Sequence, residues 1–343
     1  MRMQNDFILL KAHLSYWLRQ LRKNAGLIGP LKSVDGDITF SSIENMHDIA
    51  LDCPASIPSP KEFIFPQKEE MFRFSDDKIR SLQNNEKRVI FGVRSCDISA
   101  VGLLDRFYGG LFEDNYYMSR RRNTVFISIE CNNPDPTCFC IGLGTGPFLK
   151  EGYDIQLTDL GNRYLVQVGS AEGRRMIKGY GHIFGKPGKA DYDDQFEARL
   201  SSQSSFNKRI ILENVRKKIV GKNVGDSFWE SVAGRCFECG GCVYECPLCT
   251  CFNIVDWKES RGSGVRMRLW DTCMFKGFTK MAGNVLPAEQ KKLRTKRWYF
   301  HKLLYYPEQF GRFGCVGCGR CTVTCPGRID MATIANKILR NAS

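Results

Sequence analysis

Cys236-Phe-Glu-Cys239-Gly-Gly-Cys242-Val-Tyr-Glu-Cys246-Pro247 organises the whole chain, because its spacing returns as Cys315-Val-Gly-Cys318-Gly-Arg-Cys321-Thr-Val-Thr-Cys325-Pro326. Three thiolates three residues apart line one side of a 4Fe-4S cube, and where two such runs occur the fourth cysteine ligates the other cube. Gly240, Gly241, Gly317 and Gly319 let the loop backbone turn its amides toward sulfur. The proline after each fourth cysteine stops the chain re-entering the loop. Zinc ribbons use two-plus-two cysteine pairs and do not write this spacing twice. The runs therefore predict one cluster on Cys236, Cys239, Cys242 and Cys325 and another on Cys315, Cys318, Cys321 and Cys246.

Working outward, the 343 residues suggest two or three domains, and 43% apolar content suffices for buried cores. The early residues are interrupted by Asp6, Lys11 and Arg19, which argues against a signal peptide or membrane span and places sixteen cysteines in a reducing cytoplasm. The formal charge of +13 counts every cysteine as neutral. Each cluster on four thiolates carries about −2 when oxidised, so part of the basic excess acts as counter-charge. The remainder suits acidic partner surfaces.

The expected fold class is α+β: an N-terminal α/β domain over residues 1–224, then a helical ferredoxin-like domain over 225–343 with two 4Fe-4S clusters. Phe7 to Leu21 has helical apolar spacing, Pro58 to Pro66 suggests an extended connection, and Glu69 to Phe74 a strand. Cys53 stands alone as an ordinary thiol. Arg88 to Val93 and Thr124 to Ile129 are strand-like, and the first passes into a helical stretch carrying Ile98, Val101 and Leu104. Cys96 and Cys131 fall at the carboxyl ends of these strands, where open α/β sheets place ligands.

Cys138 and Cys140 follow on a proline-rich loop. Their spacing leaves open whether Cys96, Cys131, Cys138 and Cys140 meet on a third cluster or are scattered core thiols. Gly142 to Pro147 lacks the full dinucleotide fingerprint and is expected to be loop. Residues 153–169 alternate about Gly161-Asn162 as a hairpin. Ser201 to Ser205 suggests a break, Ile210 to Ile219 a basic amphipathic helix, and Asp226 a helix cap. Between the cysteine runs, Val265 to Met281 and Ala288 to Leu304 are expected to be helical, and Asp330 to Ile338 forms a last helix.

Cys249, Cys251 and Cys273 lie beyond the two runs. They are candidates for core thiols beside a cluster, redox-active groups or further ligands. Lys291, Lys292, Arg294, Lys296 and Arg297 precede Trp298-Tyr-Phe300 and raise the alternative of a nucleic-acid-associated protein with structural clusters. A solvated face or a docking site for an acidic partner is the preferred reading of that stretch. No acid, base or nucleophile constellation stands out among the four histidines, so no catalytic site is expected.

From about residue 88 onward the chain resembles a known family. The segments FGVRSCDISAVGLLDRF (91–107), IECNNPDPTCFCIGLGTGP (129–147), CFECGGCVYECPLCTCF (236–252), WDTCMFKGFTKMAG (270–283) and FGCVGCGRCTVTCPGRID (313–330) carry the likeness. So does YDIQLTDLGNRYLVQVGSAEG (153–173). They are similar to the iron-sulfur beta subunits of cytoplasmic NiFe sulfhydrogenases and to the corresponding iron-sulfur subunit of anaerobic sulfite reductase. The resemblance implies an electron relay between an FAD-containing, NAD(P)H-handling flavoprotein and a separate catalytic subunit, with no membrane span and no nucleic-acid partner. It favours a third cluster on Cys96, Cys131, Cys138 and Cys140, and it keeps a ligand or tuning role open for Cys249, Cys251 and Cys273. Gly92 to Asp97 and Phe300 to Leu303 lean toward the hydrogenase type over the sulfite-reductase type.

Overall fold

The runs at 88–94 and 124–129 become neighbouring parallel strands, and the amino-terminal half grows outward from them. The computed structural model describes residues 6–51, 56–221 and 223–340, and Cys53 lies outside these. The strands are β1 (Asp6–Leu10), β2 (Gly26–Lys32), β3 (Ile38–Ser42), β4 (Lys68–Ser75), β5 (Lys78–Ser81) and β6 (Arg88–Arg94). They continue with β7 (Thr124–Ile129), β8 (Ile155–Asp159), β9 (Arg163–Val168), β10 (Phe184–Gly185), β11 (Phe252–Ser260) and β12 (Ser263–Trp270). One sheet of eight strands has the order β10-β1-β9-β8-β7-β6-β2-β3, with β2, β6, β7 and β8 parallel at its centre.

Side chains alternate across this sheet, so each face acquires its own core. Ile90 and Phe126 face helix α2 (Ser95–Tyr108), once α1 (Lys11–Arg22) has been laid against the opposite face. On that opposite face Val89, Phe91 and Ile127 pack with Trp17, Leu18 and Leu21. Gly92, at φ 77°, opens a register shift between Phe91 and Val93, and a Cβ there would stand 2.9 Å from Pro30. This bulge bends β6 just before Cys96.

A second sheet, β11-β12-β4-β5, takes strands from both sides of residue 225. Glu69 of β4 lies opposite Arg268 of β12 and is fully buried. It also pairs with Arg120 of α3 (Asn115–Arg122), so one carboxylate joins three elements. The carboxy-terminal core gathers Trp229, Trp298, Tyr299, Leu303, Ile334 and Ile338 from the helices Asp226–Gly234, Lys291–Phe300 and Met331–Arg340 and the π-helical turn His301–Tyr305.

Several expectations need correction. Val265 to Met281 is not helical: β12 occupies 263–270, because Val265, Met267 and Leu269 alternate with Arg266 and Arg268 at period two. The stretch between the cysteine runs thus opens with a β-hairpin before its helices. Phe7 to Leu21 begins as a strand, since β9 and β10 take up the backbone of residues 6–10 before α1 starts. The connection at 58–66 includes a 3-10 turn, Pro60–Phe63, capped by the Ser59 hydroxyl. Ser201 to Ser204 finishes the helix Lys189–Ser204 instead of breaking it. Asp226 is the first residue of its helix, and its carboxylate meets Lys292 and Lys296.

Candidate metal centres

Both cysteine runs adopt one backbone. The second residue after the leading cysteine, Glu238 or Gly317, and the fourth, Gly240 or Gly319, have positive φ, from 56° to 77°. In each run the second residue's amide donates to the leading thiol at 3.4 Å, Glu238 to Cys236 and Gly317 to Cys315. A short helix then starts at the fifth residue, Gly241 or Arg320. Glu238 holds a conformation that L side chains rarely adopt. Its carboxylate is fixed by the buried guanidinium of Arg294, 2.9 Å away.

The thiols surround voids. Cys236, Cys239, Cys242 and Cys325 line one, which Cys321 also touches. Cys315, Cys318, Cys321 and Cys246 line a second, which Cys242 also touches. Each run's fourth cysteine stands at the other run's void: Cys325 at the first and Cys246 at the second. Cys96, Cys131, Cys138 and Cys140 line a third void. Among the described residues no group of three or more His, Cys, Asp or Glu converges on a single ion. Sulfurs arrayed around a cage suit a multi-iron core better than one cation.

The surroundings fit such a core. Thr295 Oγ1 and Trp298 Nε1 are buried donors without a partner among the described residues, and both residues line the first void. They can donate to inorganic sulfide, which repairs an otherwise costly omission. Burial pushes the Cys138 and Cys315 thiols up to about 12, and raises Cys96, Cys140, Cys242 and Cys321 strongly. Deprotonated sulfur in these places calls for nearby positive charge, which a ferric-ferrous core supplies.

The voids form a row. The first and second share Cys242, Cys321 and Trp298 in their walls. The second meets the third where the Phe139 amide donates to Gly317 O at 2.8 Å and Cys138 Sγ lies 3.5 Å from Cys318 O. Here Gly317 has no room for a side chain, since a Cβ would stand 2.6 Å from Cys140 N. Arg320, on the second run, forms a fully buried two-pronged pair with Asp97 of α2 at 2.7 and 2.9 Å. Cys239 is exposed at one end of the row.

Sequence reasoning missed the buried cations. Lys302 Nζ is 3.3 Å from Cys246 Sγ and 2.9 Å from Gly314 O. Burial alone would depress its pKa, but Cys246, Cys249 and Cys315 hold it well above the usual lysine range. The π-helical turn at His301–Tyr305 places it there. Lys61 donates to the carbonyls of Cys246 and Cys249, each at 2.9 Å, and sits 4.0 Å from the Trp270 ring centroid. Cys249, Cys251 and Cys273 line none of the three voids.

The basic stretch 291–297 is spent on contacts within the chain. Lys291 donates to Cys236 O, Arg297 to Cys273 O, Lys292 and Lys296 pair with Asp226, and Arg294 with Glu238. Lys291 and Arg294 hold the first cysteine loop and Arg297 the Cys273 carbonyl, while Lys292 and Lys296 tie the helix to Asp226 at the surface, and Trp298 and Tyr299 are buried. Among the described residues no helix is long and apolar enough to cross a membrane.

Residues 235–329 match the family of 4Fe-4S dicluster domains, which makes this an iron-sulfur protein of the electron-carrying class. Over 334 residues the chain is 30% identical to sulfhydrogenase 2 subunit beta of Pyrococcus furiosus, covering 96% of this chain and 98% of that protein. The chain belongs to the sulfhydrogenase beta-subunit family, as an electron-transfer iron-sulfur subunit of the hydrogenase type.

Proposed function

We propose that the protein is a three-cluster wire in a cytoplasmic oxidoreductase complex, passing electrons between an FAD-containing flavoprotein that handles NAD(P)H and a hydrogenase-type catalytic subunit. The observation that carries this reading is the continuous row of three four-thiol voids. The first cluster would be held by Cys236, Cys239, Cys242 and Cys325, and the second by Cys315, Cys318, Cys321 and Cys246. The third would be held by Cys96, Cys131, Cys138 and Cys140. Bound 4Fe-4S cores supply one-electron chemistry at potentials set by burial, charge and hydrogen bonds to sulfur. The chain contributes the amides, Thr295, Trp298 and the buried cations that set those conditions. Packing of the 225–343 helices around the first two clusters gives them the rigid, close placement that transfer needs.

The row is approachable for two partners. At one end Cys239 is exposed and Phe237 is 70% exposed beside it, an apolar contact next to a cluster ligand. An open groove elsewhere, lined by Arg106, Arg312 and Lys150 among others, runs to Cys315 and gives a second partner a short path to the middle centre. Anaerobically reconstituted protein should hold about twelve irons, three cubes of four, and Cys138→Ser should remove about a third while the other two signals persist. A count near eight in the unmodified protein would end the wire at the second cluster. The isolated protein should accept electrons from a strong reductant yet show no turnover with NAD(P)H, hydrogen or sulfite.

A further inference from the structure

Cys249, Cys251 and Cys273 fall outside the three four-thiol sets, and their placement is specific. The Asp271 amide donates to Cys251 O at 3.0 Å, extending the β11–β12 ladder one step beyond the Phe252–Trp270 pair. Cys273 follows two residues later, in the diagonal position from which side chains on an antiparallel pair can meet. The strand register sets Cys251 and Cys273 beside each other, each acts on the other's titration, and both residues are partly exposed. Arg297 anchors the Cys273 carbonyl at 2.7 Å, and Lys61 anchors that of Cys249 at 2.9 Å.

The charges around the pair favour anionic sulfur. The Cys273 thiol beside it, aided by Lys302 and Lys61, brings the Cys251 thiol down to about 7 against the opposing effect of burial. A thiolate beside a resolving thiol, reachable from solvent, is the arrangement found where cysteines cycle between dithiol and disulfide. The pair also lies within the electrostatic reach of cysteines from the first two four-thiol sets. Cys242 of the first four-thiol set is among the charges that act on Cys273, and Cys246 of the second and Cys251 both act on Cys249.

We propose that Cys251 and Cys273 are a redox-active dithiol that exchanges two electrons with the clusters of those two sets. The two thiols lose two protons to solvent and two electrons, one to each of two oxidised 4Fe-4S clusters, and the Cys251–Cys273 sulfur-sulfur bond forms. Reduced clusters return the electrons, the bond breaks, and two protons are taken up. The protein thereby couples a two-electron store to one-electron carriers. This rests on the cluster assignment proposed above.

The test is made on the anaerobic full-length protein, poised with dithionite or with a mild oxidant, quenched in acid, alkylated, digested and read by mass spectrometry. Oxidised samples should contain a peptide linked between Cys251 and Cys273, and dithionite-treated samples should carry label on both. Cys251→Ser and Cys273→Ser should each abolish the linked peptide while iron stays at the unmodified level. Label on both thiols under every condition would overturn the proposal. So would loss of iron or any other metal in either variant, which would make the pair ligands. An iron count in the unmodified protein too low for the first two clusters would instead strike the cluster assignment, a separate failure visible before any thiol is counted.

Discussion

A buried ammonium 3.3 Å from the Cys246 sulfur would set how readily the cluster proposed there accepts an electron, since a fixed positive charge favours the more negative, reduced state. Lys302→Met keeps the volume and removes the charge. It should lower the midpoint potential of one cluster on the order of 100 mV, treating one charge a few ångströms away at an effective dielectric near 20, and leave the iron content unchanged. Potentiometric titration followed by electron paramagnetic resonance measures this, and an unshifted set of midpoints would remove Lys302 from the tuning of the relay. By contrast, the cation beside the first centre, Arg294, is already neutralised by Glu238. The middle position in the row is therefore expected to be the more oxidising of the two carboxy-terminal sites.

The residues that do this tuning were hidden from the sequence for a physical reason. The cysteines announce themselves because a cube demands thiolates at fixed local spacing, whereas any lysine can be folded inward by contacts far away in the chain. Lys61 reaches carbonyls 185 and 188 positions further on, and nothing around Pro60 signals that. Asp97 stands beside Cys96 as one polar residue of a strand-to-helix turn, and its partner Arg320 lies 223 residues away.

At the scale of elements, the small sheet hangs on Glu69. Its carboxylate is fully buried and shared by Arg268 and Arg120, so removing it leaves Arg120 without its counter-charge and Arg268 with Asp114 alone. Glu69→Ala should cost about 3–5 kcal/mol of stability, the usual cost of orphaning a buried charge. Denaturant unfolding of the cluster-loaded protein measures it, and a change below about 1 kcal/mol would show that the sheet is held by its apolar contacts instead. The same sheet shows where pattern reading failed. The strand-helix unit at 88–108 and the hairpin at 153–169 were legible because strand, turn and helix signals sit side by side. The period-two alternation of 265–269 was equally present, but β12 finds its second partner, β4, almost two hundred residues earlier. Local helical spacing from 265 to 281 therefore outweighed it. The position of Cys96 and Cys131 at strand carboxyl ends was legible, and the parallel pairing of β6 and β7 that brings them together came from the structure.

Across the whole molecule, the two halves of the chain meet in a shared sheet, in the Phe139–Gly317 contact and in the Arg320–Asp97 pair, so the row of centres crosses the join between them. The pair is the most exacting of these joints, because both groups are at most 3% exposed and Arg320 also donates to Ser56 O at 2.7 Å. Asp97→Ala leaves Arg320 buried and unpaired, which should destabilise the protein by about 3–5 kcal/mol. The electron path gives this substitution a second signature. Asp97 adjoins Cys96 beside the third void, and Arg320 lies between Cys318 and Cys321 of the second, so both centres should loosen together. Anaerobic chelator challenge should then bleach clusters from the variant several-fold faster than from the unmodified protein, while the first centre, reached through Cys236 and Cys239, resists longest. Unfolding here is expected to be irreversible once iron departs, so rates are the proper comparison. If visible absorbance and backbone circular dichroism decay with one rate in the unmodified protein and with two in Asp97→Ala, the pair is what makes the halves unfold as one. If two rates are already seen in the unmodified protein, the halves are independent and the joint carries electrons without carrying stability.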